Sequence, residues 1–313
     1  MKTISLKGIG QVLIKTFKGV GEDKIPKLSA SLAYTTVFSL GPLLVVIIYL
    51  CGLFLGQEAI QGTIYRQMQQ FIGNDAALQL QTIIKSATVS KKENIAAIIG
   101  IVTLVLTATA VFAEIQDSIN TIWGLKPKPK KGWLKIITNR VLSFSMIITL
   151  GFLLLVSLAI SAAVDALSDR LKSNFPDAAV IIFYIINLLL SFLITMFLFL
   201  VIYKVLPDAK IKWKDVLPGA ITAAVLFTIG KFVISLYISS RNIGTTYGAA
   251  GSLVILLLWV YYSSLILYLG AEFAKAWAIK YGSKIHPSDY AVTIKPVEIE
   301  KGKQTIQEKE KQS

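Results

Sequence analysis

Cysteine and histidine occur once each in this chain of 313 residues, and charge is sparse. Only 16% of residues are Asp, Glu, Lys or Arg, against about 25% in an average soluble domain. A single Cys excludes a disulfide framework within the chain. A single His excludes a metal or catalytic centre built from several imidazoles, and no cofactor is expected. Acidic residues are scarcer than basic ones, 18 against 32, so the formal net charge is +14. Nucleic-acid modules share that sign, but they are not 54% hydrophobic with a mean hydropathy of +0.65, and no nucleic-acid partner is expected. Strand-like alternation long enough for a membrane barrel is missing, and so is any repeat of short period. The composition describes an all-α polytopic membrane protein.

A hydrocarbon core of about 30 Å asks for about 20 apolar residues of helix. Stretches nearly free of charge predict six spans, at residues 28–57, 94–113, 141–164, 178–203, 216–240 and 242–271. The fifth is two uncharged pieces joined across Lys231. The first starts too late and runs too long for a cleaved signal peptide. Outside the spans, one set of alternate segments holds 24 Lys and Arg and the other holds 7. The positive-inside rule therefore puts the N- and C-termini in the cytoplasm.

Residues 1–27 read as a basic amphipathic helix. Leu6, Ile9, Val12, Leu13, Phe17 and Val20 share one arc, with Lys7, Lys15 and Lys18 opposite. Such a helix either lies on the inner leaflet, held by anionic lipid, or packs on the ends of the bundle. The outer-face loop, residues 58–93, carries two apolar stripes that predict two short capping helices. The lysines of residues 126–131 fix their loop inside, with anionic inner-leaflet lipid as a second partner. Residues 282–313 are charged and poor in aromatics, and are expected to be a disordered tail with His286 solvated.

Five spaced segments then fall into a pattern. They are ASLAYTTVFSLGPLL at 30–44, QDSINTIWG at 116–124, YKVLPD at 203–208, WKDVLPGA at 213–220, and YGAAGS at 247–252 with LGAEF at 269–273. In this order they closely resemble the YihY/virulence factor BrkB family of bacterial inner-membrane proteins, over about residues 8–280. The resemblance implies a multi-pass, six-helix protein of the bacterial inner membrane. Members have carried the label ribonuclease BN, and others are linked with serum resistance or with lipid or ion transport. No catalytic residues carry over position by position.

An ionisable group at membrane depth is a functional candidate, because desolvation makes it costly to keep there. Glu114, Asp117 and Asn120 follow one another at i, i+3, i+6 at the inner end of the second span. Two carboxylates in that setting suit a cation or a proton. Glu272 ends the sixth span on the same side, after Gly270-Ala271, and Tyr34 lies in the inner half of the first, beside Thr35, Thr36 and Ser39 and before Pro42. Pro218-Gly219 opens the fifth. A cytoplasm-facing cavity lined by these groups is the expected site. In the outer half, Lys231 is free to snorkel or to pair with Asp165, with Asn187 joining them. Gly248 to Ser252 suits tight helix packing, and Cys51 a buried apolar position. Two three-helix halves would be inverted with respect to each other, and a broken fifth span would fit that plan.

Three functions compete. The first is a transporter or flippase-like protein for a lipid or an ion. The second is an envelope scaffold without catalysis, whose spans only anchor interacting surfaces. A ribonuclease is the third and the least supported, since cleavage needs a metal-carboxylate cluster or a general acid/base pair on an accessible surface. The chain is expected not to be an enzyme.

Overall fold

The computed structural model describes residues 5–39, 94–127, 176–240, 251–288 and 291–294. The third span, the loop 58–93, Pro42, Cys51, Asp165 and residues 248–250 lie outside these.

Ser5 opens the described chain. Its backbone is extended (φ −118°, ψ 149°) and its hydroxyl accepts from the Gly8 amide at 3.1 Å, capping helix α1, Leu6–Glu22. Three arcs run along α1. Gly8, Val12, Thr16 and Gly19 are buried, Leu6, Leu13, Ile14 and Phe17 are exposed, and the lysines fill the rest. The apolar stripe expected from the sequence therefore divides. Small residues make the tight contact, because Gly8 and Gly19 leave room for the Tyr281 and Glu272 side chains of the last helix, while most of the large apolar residues stay outside.

A turn at Asp23 and Lys24, the latter at φ 53°, separates α1 from α2, residues 25–39. Helix α3, Asn94–Ile122, runs nine residues past the predicted end of the second span. It stops at Gly124, whose φ of +64° is the left-handed turn that a side chain disfavours. Strand β1, Leu125–Pro127, follows. Helix α4, Pro176–Val205, leads through strand β2, Ala209–Lys210, into α5, Trp213–Ser240. Pro218 is the sixth residue of α5, where its missing N–H leaves the Lys214 carbonyl without its intrahelical donor. Helix α5 is continuous through Lys231, so the two uncharged pieces of the fifth span form one helix. Helix α6 runs from Gly251 to Tyr281, ten residues beyond the predicted end of the sixth span. Glu272 is therefore inside a helix rather than at its tip.

The tail corrects another expectation. Its first part is ordered: β3, His286–Pro287, pairs antiparallel with β2, and β4, Ala291–Thr293, pairs antiparallel with β1. Backbone hydrogen bonding to two exposed loop edges outweighs the polar composition. His286 is exposed, as expected. These pairings bring the ends of α3, α4 and α6 and the start of α5 to one end of the bundle, which also carries α1. Lys126, Lys210, Lys212, Lys214 and Lys284 are exposed there.

Helix α5 packs between α4 and α6, while α1 and α3 lean on α6. The seam of α5 and α6 is made of small residues. A Cβ at Gly219 would lie 2.5 Å from the Ala274 Cβ and 2.7 Å from the Gly270 carbonyl oxygen, so no side chain fits. Tyr203 of α4 reaches into the seam and donates to the Leu267 carbonyl at 2.7 Å.

Outward faces are apolar. The most apolar 18-residue windows of Leu188–Val205 and Leu253–Tyr281 have mean hydropathies of 2.4 and 2.1, yet only 22% and 33% of those windows are buried. On α5, Leu217, Ile221, Val225, Ile229, Val233 and Tyr237 form an exposed stripe at every fourth residue. Each such side chain left in water forfeits about 1.5–3 kcal/mol. With the six residues 37–58% exposed, about half of that applies, and the stripe amounts to roughly 5–9 kcal/mol, comparable with the whole stability of an ordinary domain. Lipid, not water, is the solvent this surface fits.

Candidate functional site

Two polar clusters sit at the end of the bundle where the strands gather. In the first, Gln116 and Asn120 are one turn apart on α3, so both amides point the same way. The Gln116 Nε2 donates to Asp208 Oδ1 at 3.0 Å, and the Asn120 Nδ2 donates to Oδ2 at 2.9 Å. The Asp208 amide returns a bond to Asn120 Oδ1 at 2.9 Å, and its carbonyl accepts from the Ser288 amide at 2.9 Å. Asp208 is 1% exposed. Burying a carboxylate is costly unless its oxygens are satisfied, and here each receives an amide donor. The cluster ties α3, the connection after α4, and the tail into one unit. Lys204 closes that connection by donating to the Ile211 carbonyl, its ammonium 5.9 Å from the Trp213 ring centre.

The second cluster joins α1 to α6. Glu272 is 3% exposed, and its carboxylate fills the space that a side chain on Gly19 would take, 2.2 Å from where a Cβ would be. The Lys275 ammonium donates to Glu272 Oε2 at 3.1 Å and to Asp23 Oδ2 at 2.7 Å. One cation is thus shared between two carboxylates. Lower on the same seam, Lys280 donates to the Gly8 carbonyl and to Gln11 Oε1, both at 2.7 Å.

Between the clusters lies the Tyr268 hydroxyl, fully buried and without a hydrogen bond of good geometry. Ser118 and Glu114 of α3 are its polar neighbours. Tyr268 and Glu272 are one turn apart, so α6 presents a hydroxyl and a carboxylate along one face.

The residues expected to share one cavity are thus distributed. Asn120 belongs to the Asp208 cluster, Glu272 to the triad, and Glu114 is half-buried near Tyr268. Asp117 is exposed on α3. Tyr34 points away from both clusters in a different sense: it is 65% exposed and packs on Phe38, with ring centres 4.8 Å apart. Lys231 is half-buried on α5, its expected partner Asp165 lies outside the described residues, and so does the Asn187 side chain.

Sequence reasoning passed over Gln116, Asp208, Asp23 and Lys275. The first two stand inside the segments QDSINTIWG and YKVLPD, and the i, i+4 spacing of Gln116 and Asn120 was a usable signal. Lys275 follows Glu272 at i+3, which was a usable signal as well, whereas Asp23 lies 252 residues from Lys275 and carried none. Among the described residues, no three His, Cys, Asp or Glu converge to hold a metal ion.

A profile of the family described as virulence factor BrkB matches residues 16–291. A UPF0761 membrane protein of Haemophilus influenzae is 28% identical over 273 residues, covering 87% of this chain and 95% of its own. One from Pseudomonas aeruginosa is 31% identical over 256 residues, 80% of this chain and 58% of its own. Another, from Ralstonia nicotianae, is 28% identical over 260 residues, 81% of this chain and 56% of its own. The chain therefore spans little more than half the length of the last two relatives. No solved structure matches.

Proposed function

The chain belongs to the virulence factor BrkB family of membrane proteins, and from that premise we propose that it is a transporter or flippase-like protein for a lipid or an ion. We place it in the bacterial inner membrane as a multi-pass helical protein, with the strand-bearing, lysine-rich end in the cytoplasm. One observation carries the reading: polarity is arranged inside out. Apolar side chains of α4, α5 and α6 face outward, while Gln116, Asn120, Asp208, Tyr268 and Glu272 are buried within the bundle. Polar groups kept at that cost inside an apolar shell suit the passage of something polar along the helices.

Glu272 is the residue we place at the centre of transport. It is buried, acidic, and held by one lysine that a second carboxylate also claims. A competing cation or headgroup therefore meets a carboxyl group whose lysine partner is shared with Asp23. The amphipathic α1 lies on the cytoplasmic leaflet through Leu6, Leu13, Ile14 and Phe17, with anionic lipid drawn to its lysines and to Lys126.

The test is Glu272→Gln in proteoliposomes, read by cation or proton exchange and by translocation of a labelled lipid. The amide keeps the size of the side chain but loses its charge, and Lys275 retains Asp23. The expected result is flux at the level of empty vesicles from a protein that still unfolds cooperatively on heating. Wild-type flux from the variant would remove Glu272 from the pathway.

A further inference from the structure

An apolar groove of about 280 Å³ opens on the surface where α5 and α6 meet the junction of α1 and α2. Leu226 and Val233 of α5, Tyr262 and Leu269 of α6, and Val20 and Ile25 at the junction line it. Close packing of α5 on α6 sets one wall. Gly230 has no side chain, and the Tyr262 hydroxyl occupies the place where a Cβ would stand, 0.9 Å away. That hydroxyl is the one side-chain polar group among the lining residues and is directed to the Leu226 carbonyl at 3.4 Å. A groove with so little polarity offers nothing to an ion.

At 1.5 Å per residue, the wall from Leu226 to Val233 is about 10 Å long, roughly a third of the hydrocarbon thickness. At the junction end the chemistry changes. Lys24 and Lys27 flank Ile25 and are exposed. The neighbouring carboxylates are already engaged: Glu22 with Lys18 at 3.3 Å and Asp23 with Lys275 at 2.7 Å. Among the described residues neither Lys24 nor Lys27 has an acidic partner. An apolar slot with two uncommitted cations at its end matches a molecule with an apolar chain and an anionic head.

Resting on the transport reading above, we infer that the groove holds one acyl chain of an anionic phospholipid from the surrounding leaflet, with its headgroup at Lys24 and Lys27. A second copy of this chain is a poorer occupant, because its own outward faces are as basic at this end. A zwitterionic lipid fills the slot but leaves the lysines unanswered.

The full-length chain, purified in detergent, is equilibrated with phosphatidylglycerol or with phosphatidylcholine of identical acyl chains. Bound lipid is then counted by native mass spectrometry. One phosphatidylglycerol per chain is expected, held in preference to phosphatidylcholine. Lys24→Gln with Lys27→Gln should weaken phosphatidylglycerol roughly 10- to 30-fold, about 1 kcal/mol per lysine, and erase the preference. Val233→Trp should weaken both lipids, since Val233 is exposed and a larger side chain there fills the slot without disturbing the seam. Thermal unfolding of each variant confirms that the fold is retained. Equal binding of the two lipids by the wild-type chain, or an unaltered preference in the double lysine variant, overturns the inference. Flux measured in parallel separates it from the transport reading. A chain that transports but binds both lipids alike loses only the groove. One that selects phosphatidylglycerol but supports no flux loses only transport.

Discussion

At the scale of single residues, Asp208 is held by more hydrogen bonds than any other described carboxylate, and removing its partners has a calculable cost. Asn120→Ala deletes the donor to Oδ2 and the acceptor of the Asp208 amide together. Bonds to a charged group contribute about 1.5–3 kcal/mol. The variant should lose about 2–4 kcal/mol, more than a surface substitution costs, and thermal unfolding in detergent reads the loss directly. Gly19→Ala tests the other cluster. Its Cβ would meet the Glu272 carboxylate, which must turn away from Lys275 or push α1 outward. A cost of about 1–3 kcal/mol is expected, with flux impaired alongside stability. How much of this was legible differs between the clusters. Asn120 and Glu272 stood out in the sequence as polar residues closing apolar stretches. The distant partners did not, because Asp208 follows Asn120 by 88 residues and Asp23 precedes Lys275 by 252, although Lys275 itself stands at i+3 from Glu272. Spacing along one helix is periodic and can be read, whereas pairing between distant segments is fixed by tertiary packing alone.

Among the elements, α1 and the seam of α5 with α6 behave differently. Helix α1 is pinned at both ends by lysines of α6, through Asp23 and through Gly8 and Gln11. Lys280→Met should loosen its first turns without touching the bundle. Hydrogen exchange is the measurement: faster exchange at residues 6–12 and unchanged exchange at 256–271 is the expected pattern. The seam admits no such slack. At Gly219 a methyl group meets backbone on α6, so Gly219→Ala must separate two helices rather than move one side chain. It should destabilise by about 1–3 kcal/mol or more, again read by thermal unfolding. Helix starts at Asn94, Pro176 and Trp213 lie within three residues of the predicted spans, because loss of charge marks where an apolar helix begins. Ends were harder to place. Helices α3 and α6 continue past the apolar stretch as amphipathic turns packed on α1 and on the strands. Charge marks the edge of the apolar zone, not the end of the helix. The short strands of the tail were invisible for a related reason. His286–Pro287 and Ala291–Thr293 form strands only because β2 and β1 offer edges to pair with.

For the molecule as a whole, α4, α5 and α6 run up and down in turn. The ends of α3, α4 and α6 meet at one pole, which is also the pole of exposed lysines. Labelling should follow that geometry. In a Cys51→Ala background, a cysteine placed at Lys284 should react with an impermeant maleimide only after inner-membrane vesicles are inverted or opened. Reaction in intact spheroplasts would reverse the orientation. Transport itself is the central claim, and flux through the wild-type protein in liposomes of defined composition tests it most directly, with labelled-lipid translocation and cation/proton exchange followed in parallel. The account predicts that at least one of the two exceeds the rate in protein-free vesicles in proportion to the protein incorporated. Rates equal to protein-free vesicles in both assays, from a chain that is correctly inserted and folded, would contradict it.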